Sequence, residues 1–161
     1  LQMKLTIFDR SRGQHERALQ LINKTNQFNL NGKRVSETEL LTILESGGRL
    51  YTAKLEDRTG GHGEILACLL DREHVVVSLV LSCRVFQRRV EHVFVSWLVQ
   101  QLGNKIYFAY RSTARNTPLT EFLDGDSFSD EPEGKVLDGM RFVKEGGFHK
   151  NLFDLRVVGV G

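Results

Sequence analysis

The chain has 161 residues, with 22 lysines and arginines against 20 acids, a net charge of +2 and a hydrophobic fraction of 40%. These values describe one globular domain with enough chain to bury a core, and they exclude a nucleic-acid binder that works by bulk positive charge. No apolar run is long enough to cross a bilayer as a helix, and no signal peptide is visible, so a cytoplasmic location without a membrane partner is expected. The two cysteines, Cys68 and Cys83, lack Cys or His partners at ligand spacing. That predicts no metal site and two free thiols in a reducing compartment.

In chain order, MKLTIFD alternates as a strand, and Ala18, Leu21, Ile22 and Thr25 share one helical face that runs out near residues 26–29. Ser36 with Glu39 forms a capping box before Leu40, Leu41, Ile43 and Leu44, and Gly47-Gly48 ends that helix. RLYTAKLED, GHGEILACLLD and HVVVSLVLSC then read as three antiparallel strands joined by short turns. The period becomes helical again with Val90, Val93, Phe94, Trp97, Leu98 and Leu102, and Gly103 closes the helix.

KIYFAYR is a further strand, and Thr117 before Pro118 predicts an N-cap and a short helix. DGDSFSDEPEG reads as an acidic turn-rich loop, and GMRFVKEG and LFDLRVVG as two closing strands. The order β-α-α-β-β-β-α-β-α-β-β predicts an α/β (α+β) domain with a mixed, mostly antiparallel sheet flanked by helices.

The densest set of residues with chemical promise follows the third antiparallel strand. Cys83 is either small apolar packing or a thiol made nucleophilic by Arg84, Arg88, Arg89 and the N-terminus of the helix that follows. The arginines are suited to phosphate oxygens, and their position at a helix start opposes the helix dipole unless an anion or an acidic protein patch meets them. His62, between glycines, is either a catalytic base or an exposed turn residue. The amides Asn26, Gln27, Asn29 and Asn116 either grip a small polar acyl group or cap helices and turns. The remaining histidines, His15, His74, His92 and His149, show no metal spacing.

The order of elements resembles the GNAT acyltransferase fold. There the loop after the fourth strand reads Arg/Gln-x-x-Gly-x-Gly/Ala and holds the pyrophosphate of coenzyme A on backbone N–H groups. Arg84 to Arg89 match that loop, with Gln87 and Arg89 at the two glycine positions. Where many GNAT enzymes place a tyrosine acid, this chain has Phe122-Leu123.

The segments LINKTNQFNL, LSCRVFQRRVEHVFVSWL and STARNTPLTEFL further resemble the C-terminal GNAT-like domain of FkbH-type proteins. That resemblance implies that residues 1–161 are one GNAT-like domain from the C-terminal part of a longer chain. A haloacid-dehalogenase-like phosphatase domain, with its magnesium, would precede it.

It also implies loading of a glyceryl unit from 1,3-bisphosphoglycerate onto an acyl carrier protein, for methoxymalonyl-type extender units. Cys83 would accept the acyl group, with the arginines and amides as substrate holders; His62, read from its residue type alone, is the candidate base. No cofactor is expected in this domain beyond the carrier's phosphopantetheine arm, which acts as substrate. The alternatives are a noncatalytic carrier-docking domain and a coenzyme A-dependent N-acyltransferase.

Overall fold

The computed structural model describes residues 3–146 and 152–159. Its strands are β1 (Met3–Asp9), β2 (Phe28–Asn29), β3 (Arg49–Asp57), β4 (Gly60–Leu70), β5 (Val76–Leu81), β6 (Lys105–Phe108), β7 (Phe128–Glu131), β8 (Gly134–Asp138) and β9 (Phe153–Val158). The helices are α1 (Glu16–Lys24), α2 (Glu37–Glu45), α3 (Val90–Leu102), α4 (Thr117–Leu123) and α5 (Gly139–Glu145). One sheet runs in the order β7-β8-β6-β5-β4-β3-β1-β9, with β2 added against β5. Pairing is antiparallel except between β1 and β9 and between β5 and β6.

Strand alternation sorts the apolar residues onto two faces. Leu50, Ala67, Leu69 and Val80 pack with Ala18, Leu21 and Ile22 of α1 and Leu40 of α2. Tyr51, Cys68, Leu79 and Leu81 join Phe94, Trp97 and Leu98 of α3 in the larger core, where Tyr51 meets Trp97 edge-on at 5.0 Å. The capping box is formed: Glu39 N–H donates to Ser36 Oγ at 3.1 Å, and Ser36 N–H to Glu39 Oε1 at 3.3 Å.

Three expectations are corrected. GMRFVKEG is helix α5, because Asp138 accepts from Arg141 N–H as an N-cap and Phe142 turns inward while Met140 faces solvent, a helical spacing. The acidic stretch is largely the β7–β8 hairpin, held by backbone pairing and by Lys135 on Asp130 at 2.7 Å. Gly134 opens β8 so close to β6 that a Cβ there would lie 1.9 Å from the Phe108 carbonyl oxygen. Thr117 is the first residue of α4 and Asn116 occupies the cap, without a side-chain cap bond. His149 lies outside the described residues.

The feature that positions the site is a gap in the sheet. β5 and β6 run parallel and pair only at Val76 and Phe108, after which they separate. Residues 28–31 enter the gap. Phe28 and Asn29 pair with Leu81 and Val80, and Leu30 N–H donates to the Leu79 carbonyl at 3.0 Å.

Three asparagine amides lock this wedge. Asn31 Nδ2 donates to the carbonyls of Val77 (3.0 Å) and Ala109 (2.9 Å), stitching the separated strands together. Asn29 Oδ1 accepts from the N–H groups of Asn31 and Gly32, while its Nδ2 donates to the Thr25 carbonyl at 2.8 Å. Asn116, fully buried, donates to the Asn29 and Arg111 carbonyls at 2.9 Å and accepts from Thr113 N–H at 2.8 Å. Replacing Asn116 by alanine takes the side-chain partner from the buried Asn29 carbonyl and from the part-buried Arg111 carbonyl and Thr113 N–H. Urea unfolding of Asn116→Ala is expected to show a loss of about 2–4 kcal/mol with the m-value unchanged.

Candidate functional site

β5 ends at Leu81, and Cys83–Val85 form a single 3-10 turn. Ser82 N–H is held by the Ile65 carbonyl at 2.8 Å, which pins the turn to β4. The Cys83 side chain is exposed and lines a cavity of about 510 Å³. Asn26, Gln27, Lys24, Arg115, Ser82 and Phe86 share that cavity. The structure therefore brings Cys83 together with two of the four expected amides. The cavity also holds Arg115, which sequence reasoning passed over because its exposed position near the start of α4 carries no periodic signal.

Asn29 and Asn116 are not available to a ligand. Both are buried, and their amides are engaged by backbone partners of the wedge. Their part is structural, which corrects the expectation of substrate contact. A Cys68–Cys83 disulfide is excluded as well: Cys68 is buried in β4 opposite Tyr51 and Leu79, and burial pushes its thiol up, while Cys83 is exposed at the turn.

His62, the candidate base, hydrogen-bonds with Asp57 and Arg88 and makes no hydrogen bond with Cys83. His62 sits on the β3–β4 hairpin, where its Nε2 lies 3.0 Å from Asp57 Oδ2. The same carboxylate oxygen accepts from Arg88 Nη1, which also lies 3.1 Å from His62 Nε2. Asp57 Oδ1 closes the hairpin turn by accepting from Thr59 N–H at 2.9 Å and from its hydroxyl at 2.6 Å. Asp57 is thus a hub joining the β3–β4 hairpin to the loop before α3. Hydrogen bonds from Thr59 lead the causes that pull its carboxyl down to about 2, with His62 adding to them.

Arg84 faces solvent, with Nε 3.5 Å from Ser82 Oγ. The expected anion holders therefore divide. Arg84 stays beside the thiol turn, Arg88 belongs to the Asp57 hub, and Arg89 occupies the N-cap position of α3 without a side-chain cap bond.

The backbone of this loop is unusual. Gln87 (φ 68°) and Arg89 (φ 67°) both adopt the left-handed conformation. These are the two positions where the GNAT-type loop carries glycine, so the backbone follows a glycine-type path at a cost of roughly 1–2 kcal/mol per residue.

Among the described residues, no group of three or more His, Cys, Asp or Glu side chains could hold a metal ion, and no helix is long and apolar enough to cross a membrane.

No protein-family model and no curated protein matches the chain. Among solved structures, it is similar to an acetyltransferase of the GNAT family from Staphylococcus aureus Mu50, with a TM-score of 0.52 at 14% identity over 79% of this chain and 84% of that one. The fold is therefore GNAT-like, as the order of elements predicted.

Two outcomes follow from this geometry. In the folded protein one thiol, that of Cys83, reacts with an alkylating reagent, and Cys68 reacts only in denaturant, as peptide mapping of the label will show. The Asp57 hub adds stability that is complete above the ordinary carboxylate value and is lost as pH falls from there towards about 2. Unfolding midpoints of Asp57→Asn should lack that acid limb between roughly pH 4 and 2.

Proposed function

We propose that this domain is an acyl-transfer module of the FkbH type, in which Cys83 receives a glyceryl group. The observation that carries this reading is the exposed Cys83 thiol in one cavity with Asn26, Gln27, Lys24 and Arg115. An acyl phosphate such as that of 1,3-bisphosphoglycerate presents a carbonyl, hydroxyls and phosphate oxygens. The amides suit the first two, and the cationic side chains suit the last. Arg84, exposed and next to Cys83 in the chain, adds positive charge to the turn.

In the reaction the Cys83 sulfur attacks the acyl carbon. A C–S bond forms, the bond from that carbon to the phosphate oxygen breaks, and inorganic phosphate departs with the electron pair. The thiol proton leaves to solvent or to the departing phosphate, since His62 is held by Asp57 and Arg88. The phosphopantetheine thiol of an acyl carrier protein then attacks the thioester carbon and releases the Cys83 thiolate. Magnesium and removal of the remaining phosphate belong to a phosphatase domain upstream in the longer chain of this reading.

Coenzyme A-dependent transfer is the second reading, favoured by the left-handed conformations of Gln87 and Arg89 in the loop. Against it stands the wedge. A coenzyme whose pyrophosphate sat on that loop would need its amide-bearing arm to run along β5, and residues 28–31 already take that strand edge. A noncatalytic carrier-docking domain is the third reading, and it predicts carrier binding without chemistry at Cys83.

The deciding measurement is intact mass of the full chain after incubation with 1,3-bisphosphoglycerate. A hydroxylamine-labile glyceryl adduct on Cys83, absent in Cys83→Ser, is the expected result. Full transfer activity in Cys83→Ser would overturn the proposal. Carrier binding with an unmodified Cys83 would select docking.

A further inference from the structure

β9 ends the sheet, pairing with β1 on one side and with no described strand on the other. Such an edge is a template for another chain unless proline, unmatched charged side chains, a bulge or a covering element blunts it. β9 reads Phe153-Asp154-Leu155-Arg156-Val157-Val158, contains neither proline nor lysine, and keeps an unbroken register against β1. Four large apolar side chains are exposed here: Leu152 (41%), Leu155 (38%), Val157 (41%) and Val158 (49%).

The backbone direction is set by one hydrogen bond. Met3 N–H donates to the Leu152 carbonyl, so Leu152, Asp154 and Arg156 turn their peptide groups toward β1. By alternation, Phe153, Leu155 and Val157 turn their N–H and C=O groups outward.

We propose that β9 pairs antiparallel with β9 of a second copy about a two-fold axis through Leu155. In that register Leu152 meets Val158, Phe153 meets Val157, Asp154 meets Arg156, and Leu155 meets itself. Every apolar residue faces an apolar residue, and each charge faces its opposite. The axis falls on a residue whose peptide groups already point outward, so the two Leu155 residues exchange both backbone bonds.

Asp154 and Arg156 then occupy the non-hydrogen-bonded sites, where facing side chains approach most closely. Within one copy the two charges are exposed and only loosely joined, at 3.6 Å, so they are free to cross. On the other sheet face, Phe153, Leu155 and Val157 make a continuous apolar stripe with their mates. The opposite end of the sheet behaves differently. Strand β7 carries Asp130 and Glu131, exposed acids that discourage self-pairing, so the assembly closes as a dimer and does not extend into a fibre.

Sedimentation equilibrium of the full chain tests this. A monomer–dimer equilibrium is expected in the range of roughly 10–100 µM. Arg156→Asp sets like charges opposite each other and should weaken dimerisation about tenfold or more, with an unchanged circular dichroism spectrum. The double swap Asp154→Arg with Arg156→Asp should restore it. In a Cys83→Ser background, Leu155→Cys should cross-link the dimer, because the facing Cα atoms sit about 5.5 Å apart, within disulfide reach. A chain that stays monomeric overturns the proposal. So does a dimer that ignores Arg156→Asp, that the double swap fails to restore, or that Leu155→Cys does not cross-link.

Discussion

The rest of the molecule depends on how the gap between β5 and β6 is filled. Two parallel strands that touch at a single residue pair would leave buried carbonyls and N–H groups on both edges, at about 1–3 kcal/mol for each orphan. The chain meets this cost with its own residues 28–31 and with the amides of Asn29, Asn31 and Asn116. A primary amide carries one acceptor and two donors, so it stands in for a missing strand. The wedge also ties α1, which precedes it, to the end of β5, where the thiol turn begins. The cavity around Cys83 has that junction as its floor.

The Asp57 hub plays the same part on the other side. It draws the β3–β4 hairpin onto the loop before α3 and engages the Arg88 guanidinium. The loop can then follow its left-handed path at Gln87 and Arg89 without glycine, because a packed hairpin over-determines it. The site is therefore split. A thiol, two amides and cationic side chains face one cavity, while the histidine and one arginine of the same sequence neighbourhood serve the scaffold.

Long amphipathic runs were legible from the start. The faces of α1 and α3, the capping box of α2 and the strands β3 to β5 follow from local periodicity and capping chemistry alone. β2 escaped because two residues carry no period, and its strand character comes from the edge of β5 that it meets. In α5, Met-Arg-Phe-Val alternates well enough for a strand, and the cap at Asp138 with Phe142 buried and Met140 exposed decides for helix. Cys83 was legible as exposed chemistry at a strand end. Its separation from His62 was not, since nothing local predicts that Asp57 would claim the histidine.

By itself the sequence determined most of the elements from β1 to α4, the two-sided apolar patterning and the position of a thiol just after the most strand-like run. These depend on residues within a few positions of one another. The tertiary structure alone decided which amides are spent on the wedge, which arginine is neutralised, and that β9, among the described residues, has a strand partner on one side only. Each of those is a competition between partners distant in the chain. Its outcome rests on which buried polar group would otherwise go unsatisfied.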